Sequence, residues 1–139
     1  MRAEDVVAEA LSWRGTPHAD QQSVKGAGCD CKGFVVGVAR ELGRPEAASL
    51  YGRMQDYRKI DCRLLKQGLG ELFDQVNEMQ PGDILLLRMI GRPQHLGIVG
   101  HDVLIHSYGR GPAQVTCTNL RAAIRLWPID SIWRWRGLD

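Results

Sequence analysis

Cys29-Asp30-Cys31 stands directly ahead of apolar residues at helical spacing, Phe34, Val35, Val38 and Leu42. Asp30 is of the residue type that caps helices, its side-chain oxygen accepting from the unpaired backbone N–H groups of the first turn. That places Cys31 at the first helical position. The positive end of the helix dipole favours a thiolate there, and the same N–H groups can face a developing oxyanion, so the position suits a cysteine nucleophile. Asp30 works against it, because a negative charge beside the sulfur raises the thiol pKa, and a nucleophile here needs a cationic neighbour. A core reading stands beside the chemical one: Cys31, Val35, Val38 and Leu42 share one face, and free cysteine is among the most buried residue types.

An imidazole partner is available in two runs that read as paired strands, His95-Leu96-Gly97-Ile98-Val99 and Val103-Leu104-Ile105-His106-Ser107, joined through Gly100-His101-Asp102. With Leu96 and Ile98 sharing a buried face with Val103 and Ile105, period-2 alternation predicts a four-residue loop from Val99 to Asp102. It also sets His95 directly opposite His106. One imidazole can then hydrogen-bond the other and fix its tautomer, as the third group does in a nucleophile and base arrangement. Cys31, His95 and His106 form a candidate triad. Val99 and Leu104 are apolar as well, and a one-residue slip would separate the two rings. His101 falls in the turn and reads as a solvated residue without a role.

Thiolates and imidazoles are also zinc ligands, but Cys29 and Cys31 with the distant Cys62 and Cys117 lack the paired C-x2-4-C spacing of structural sites. Cys62 and Cys117 read as small buried hydrophobes, and no metal and no cofactor is assigned.

The elements that must position these groups follow in chain order. Val6, Val7, Ala10 and Leu11 predict a short amphipathic helix that Gly15-Thr16-Pro17 ends. A polar loop from His18 to Gly28 leads to the Asp30-capped helix, which Gly43-Arg44-Pro45 stops. Leu64, Leu65, Leu69, Leu72, Phe73 and Val76 predict a further helix, although Gly68 and Gly70 each cost about 1 kcal/mol in a helix interior. Beyond the turn signal Pro81-Gly82-Asp83 come β-rich runs: Ile84 to Met89, His95 to Val99, Val103 to Tyr108, Gln114 to Thr118 and Trp127 to Trp135. Helices first and strands second predict an α+β domain with a small antiparallel sheet. In the last run Trp133 and Trp135 alternate onto one face as core, with Arg134 and Arg136 on the other.

At 139 residues the chain is expected to form one domain over 1–139. A net charge of +2, with Arg14, Arg40, Arg44, Arg53 and Arg58 scattered rather than striped, argues against nucleic acid as a partner. The opening residues run straight into the first helix without a secretory pattern, and the longest apolar run, Ile84-Leu85-Leu86-Leu87, is far short of a membrane span. The expectation is a protein made in the cytoplasm, without a membrane partner.

Three segments in order, Gly28-Cys29-Asp30-Cys31-Lys32-Gly33-Phe34-Val35, His95-Leu96-Gly97-Ile98-Val99-Gly100 and Ile105-His106-Ser107-Tyr108, resemble the NlpC-type (NlpC and p-sixty) cell-wall peptidases. These are papain-like cysteine hydrolases of bacterial peptidoglycan. Gly15-Thr16-Pro17, Val24-Lys25-Gly26 and Cys29-Asp30-Cys31 together resemble the branch found in phage tails and gene-transfer agents. The resemblance extends from Ala8 to Tyr108 and fades beyond Gln114.

It implies a papain-like NlpC-type fold, with helices packed on a small antiparallel sheet that carries the histidines. By position, Cys31 matches the nucleophile, His95 the base and His106 the third polar residue. His18 stands where the family usually has a tyrosine near the nucleophile, and His18 and Asp30 are expected to border the substrate. The implied activity is a peptidoglycan endopeptidase cleaving the stem peptide between γ-linked D-glutamate and meso-diaminopimelate. Its implied setting is a phage or phage-like tail, with tail proteins as partners. The rival from another class is a tail module that binds peptidoglycan or serves structure, with turnover lost through the change at His18.

Overall fold

The computed structural model describes residues 1–52 and 62–139. Arg53 and Arg58 of the scattered arginines lie outside them.

Helix α1 (Ala3–Ser12) buries Val6, Val7 and Ala10, and α2 (Cys31–Glu41) is buried at every residue from Cys31 to Ala39. The Asp30 cap forms as expected, with the side chain accepting from Gly33 N at 2.7 Å. At the other end Gly43 takes φ +79°, and Arg44 N reaches back to Ala39 O at 2.8 Å, closing the helix with a glycine turn. Burial all round α2 needs close neighbours. Gly37 provides one: the Trp13 indole occupies the space where a Cβ would stand.

A small ribbon of β1 (Ser23–Val24) and β2 (Gly28–Cys29) forms inside the segment expected to be loop. A 3-10 turn at Pro45–Ala48 and α3 (Ser49–Gly52) follow α2. Helix α4 (Cys62–Leu72) ends four residues earlier than expected, because Phe73 and Val76 belong to β3 (Phe73–Val76). Pairing overrides helical spacing here: Phe73 lies opposite Trp135 and Val76 opposite Ile132 in a ladder invisible to local periodicity.

The remaining strands are β4 (Ile84–Met89), β5 (Arg92–Val99), β6 (Val103–Tyr108), β7 (Gln114–Asn119) and β8 (Ile129–Trp135). They form one antiparallel sheet in the order β3-β8-β4-β5-β6-β7. Helix α5 (Leu120–Leu126), capped by Asn119, occupies a stretch assigned no element in the sequence; Trp127 ends it instead of opening β8.

Ile84, Leu86, Leu96, Ile98, Ile105, Trp133 and Trp135 pack with α1, α2 and α4 in the main core. Leu85, Leu87, Val99 and Leu104 form a second cluster on the other face, with Ala123 of α5 and Trp127. Each such fully buried aliphatic side chain is worth roughly 1.5–3 kcal/mol over exposure. Arg134, opposite in facing to the two tryptophans as expected, pairs with buried Asp83 at 2.8 Å. Among the described residues no helix is long and apolar enough to cross a membrane.

Candidate active site

The β5–β6 hairpin is tighter than its sequence predicts. Ile98 pairs with Ile105 and Val99 with Leu104, and Gly100 N donates to Val103 O at 2.8 Å, leaving His101 and Asp102 as a two-residue turn. The difference from the expected pairing is two residues, so every side chain keeps its expected face. His95 and His106 are consequently diagonal neighbours, not directly opposed. Their rings still meet, with His95 Nε2 2.7 Å from His106 Nδ1. His106 lies opposite Thr116 on β7, and its Nε2 reaches the diagonal residue there as well, Thr118 Oγ1, at 2.8 Å. His95, His106 and Thr118 thus make one oblique line across three strands.

Only the two pairs near the turn join β5 to β6. Val99 bonds Gly82 and Asp83 on the β4 side through its N–H and C=O, so by alternation the peptide groups of Leu96 and Gln94 point to the other side, where β6 has departed. The Cys31 sulfur occupies that opened seam. Its Sγ lies 3.9 Å from Gln94 O, and the Leu96 N–H hydrogen-bonds the sulfur. Helix α2 therefore delivers its first side chain to the two peptide units that flank His95.

Cys31, His95 and His106 have no exposed surface. Burial pushes the Cys31 thiol up to about 12, and the Asp30 carboxylate adds to the rise; the Leu96 N–H and the charge and N–H of Lys32 oppose it. Desolvation thus outweighs the helix dipole at this cysteine. Burial also pushes His106 down to about 4, and holds His95 well below its usual range, aided by the charges of His106 and His18. The causes are visible: Tyr108 stacks on His106 with centroids 5.6 Å apart, and Trp127 stands 5.8 Å from His95 and 5.5 Å from His106. At neutral pH the resting site holds a thiol and two neutral imidazoles.

His18 N donates to Ala113 O at 2.7 Å, and the residue bridges to Cys29. Its Nδ1 is 2.9 Å from Ser107 Oγ, and the Ser107 hydroxyl donates to Cys29 O at 2.8 Å. A hydroxyl has one hydrogen, so toward His18 it accepts, and Nδ1 of His18 carries the proton. Asp30, the residue before Cys31, ties the loop to the helix. Its carboxylate is fully buried, Oδ1 accepting from Gly33 N and Oδ2 from Gln21 N at 2.7 Å, which makes it a cap and a loop tie.

Cys29 is a buried free thiol, while Cys62 and Cys117 are partly buried against the core. Among the described residues no group of three or more His, Cys, Asp or Glu is arranged to hold a metal ion. His101 is exposed and meets Glu4 at 3.2 Å.

No protein-family model and no curated protein matches the sequence. The structure does match solved ones. The crystal structure of the NlpC/p60 domain of peptidoglycan hydrolase SagA superposes with a TM-score of 0.59 at 21% identity, covering 96% of this chain and 98% of that one. The fold is the papain-like NlpC/p60 fold. In this NlpC/p60 fold the cysteine opens a helix and the histidines ride on the sheet, as the sequence predicts. Sequence reasoning missed Thr118, Trp127 and Tyr108 as neighbours of the histidines. The only local signal was the run Ile105-His106-Ser107-Tyr108; Thr118 and Trp127 arrive through β7 pairing and the end of α5.

Proposed function

We propose that the chain is a cysteine hydrolase of peptidoglycan stem peptides, cleaving the amide between γ-linked D-glutamate and meso-diaminopimelate. The observation that carries the reading is the sulfur of Cys31 seated against both peptide units flanking His95, with His95 in turn bonded to His106. Likeness to a peptidoglycan hydrolase domain supports the choice of substrate class. The one-domain reading over 1–139 and delivery by a phage or phage-like tail, with tail proteins as partners, complete the proposal. The tail setting is supported by the Gly15-Thr16-Pro17, Val24-Lys25-Gly26 and Cys29-Asp30-Cys31 segments.

In this reading the Cys31 sulfur attacks the amide carbonyl while its proton passes to His95, forming the S–C bond. His95 then protonates the departing amine as the C–N bond breaks, and takes a proton from water as the thioester is hydrolysed, regenerating the thiol. His106 orients His95 throughout. Because the resting thiol is neutral, proton transfer accompanies attack.

The absence of exposed surface at Cys31 and His95 favours a second reading, a module that holds stem peptides without cleaving them. Incubating wild type, Cys31→Ala and His95→Ala with a γ-D-glutamyl-diaminopimelate peptide separates the two. Release of free amine by wild type, abolished in both variants, supports the hydrolase. Retained binding of peptidoglycan fragments without release by wild type supports the module.

A further inference from the structure

Counting hydrogens along the histidine line leads to Thr118. A neutral imidazole carries one N–H and one lone pair, and a hydroxyl one hydrogen. Two contacts, His95 Nε2 to His106 Nδ1 and His106 Nε2 to Thr118 Oγ1, each hold a single hydrogen. Only two concerted arrangements satisfy both. If Thr118 donates, His106 is protonated on Nδ1 and His95 on Nδ1 as well. If Thr118 accepts, His106 and His95 are both protonated on Nε2, and His95 Nδ1 is left as a lone pair.

Two observations choose between them. His95 Nδ1 is buried and has no hydrogen-bond partner, the Cys31 thiol being turned toward Gln94 O, so the first arrangement strands a buried N–H, whereas the second strands only a lone pair, the less costly of the two. Thr118 lies half-buried on β7, the last strand of the sheet, where its own hydrogen can turn to solvent while its oxygen accepts.

We propose that Thr118 is a positioning residue: by accepting from the Nε2–H of His106 it sets the tautomers of both imidazoles and keeps Nδ1 of His95 free to take the Cys31 proton. Its catalytic consequence rests on the hydrolase reading above; the tautomers do not. When the S–C bond forms, the proton moves from Sγ to Nδ1, the positive charge on His95 is stabilised through its Nε2–H by the lone pair of His106, and no proton leaves the line.

Nitrogen-15 spectra of the histidine side chains in the full chain test this directly. In wild type both His95 and His106 are expected protonated on Nε2. Thr118→Val removes the acceptor at nearly constant shape and is expected to move the proton of each ring to Nδ1, with Thr118→Ser restoring the wild-type pattern. With the γ-D-glutamyl-diaminopimelate peptide, Thr118→Val is expected to lower kcat roughly 10- to 100-fold, by analogy with the loss of an outer partner from a metal-bound imidazole, with KM unchanged and Thr118→Ser rescuing. Nδ1-protonated rings in wild type, or identical spectra in wild type and a folded Thr118→Val, would overturn the proposal. Expected spectra without any hydrolysis by wild type would sink the hydrolase reading alone.

Discussion

The sulfur of Cys31 is held between the two peptide units on either side of His95, 3.9 Å from Gln94 O and hydrogen-bonded by the Leu96 N–H. The thiol and the imidazole are thus tied through the backbone of one strand. Side-chain rotamers alone do not set their relation, and the tie exists because β6 leaves β5 after two ladder pairs.

Burial and the Asp30 charge keep that sulfur protonated, which fixes an order of labelling. Treated with iodoacetamide near neutral pH and read by peptide mass, the partly buried Cys62 and Cys117 are expected to react before Cys29 and Cys31. Asp30→Asn removes the second cause of the Cys31 shift, so its pKa falls and its labelling quickens. The same change leaves one of two backbone N–H groups facing an amide donor, at a cost of about 1–3 kcal/mol in a denaturant titration. Labelling of Cys31 ahead of Cys62 in wild type contradicts the buried-thiol arrangement.

Acid should loosen the fold earlier than carboxylates alone would. His106 is neutral in the folded chain down to about 4, while an unfolded histidine takes up a proton below 6.5. The unfolded state therefore binds more protons between those values, and stability is full above 6.5 and falls as pH drops through the window. Between pH 7 and 5 the loss from His106 is roughly 2 kcal/mol, and His95 adds in the same direction. Urea midpoints at the two pH values measure it. His106→Gln should flatten the slope, and an unchanged slope in that variant removes His106 as its source.

Trp13, the residue that caps the end of α1, is keyed into α2 at Gly37. Gly37→Ala drives a methyl into the Trp13 indole, and overpacking of this kind costs about 1–3 kcal/mol. Thermal or urea unfolding measures the loss, and pairing the change with Trp13→Leu should recover part of it. Full wild-type stability in Gly37→Ala would show that the indole moves aside freely.

The groups with chemistry were legible in the sequence because they sit inside strong local patterns. Asp30 precedes an apolar helical run, and His95 and His106 sit in alternating strands whose faces are fixed by parity. Parity does not fix register, so the histidines were expected to be opposite and are diagonal. What stayed hidden was set by distant pairing. Phe73 and Val76 look helical beside Leu69 and Leu72, yet β8 recruits them into the sheet. Helix α5 is only seven residues long, too short for periodicity to announce, so Trp127 was drawn into the following strand. Thr118 carries no chemical signal of its own; a threonine in a strand is ordinary until its neighbour is a histidine.

The oblique alignment of His95, His106 and Thr118 gives two short connections, the His101-Asp102 turn and the segment 109–113, a duty beyond closing hairpins. Lengthening either by two residues, with the strand pairing moved to match, would keep every apolar side chain inside, yet slide one partner past the next by about 7 Å. Such a protein would melt like its parent with the line of hydrogen bonds broken. Loop length here sets the alignment of the imidazoles in a way that no inspection of the hydrophobic interior would reveal.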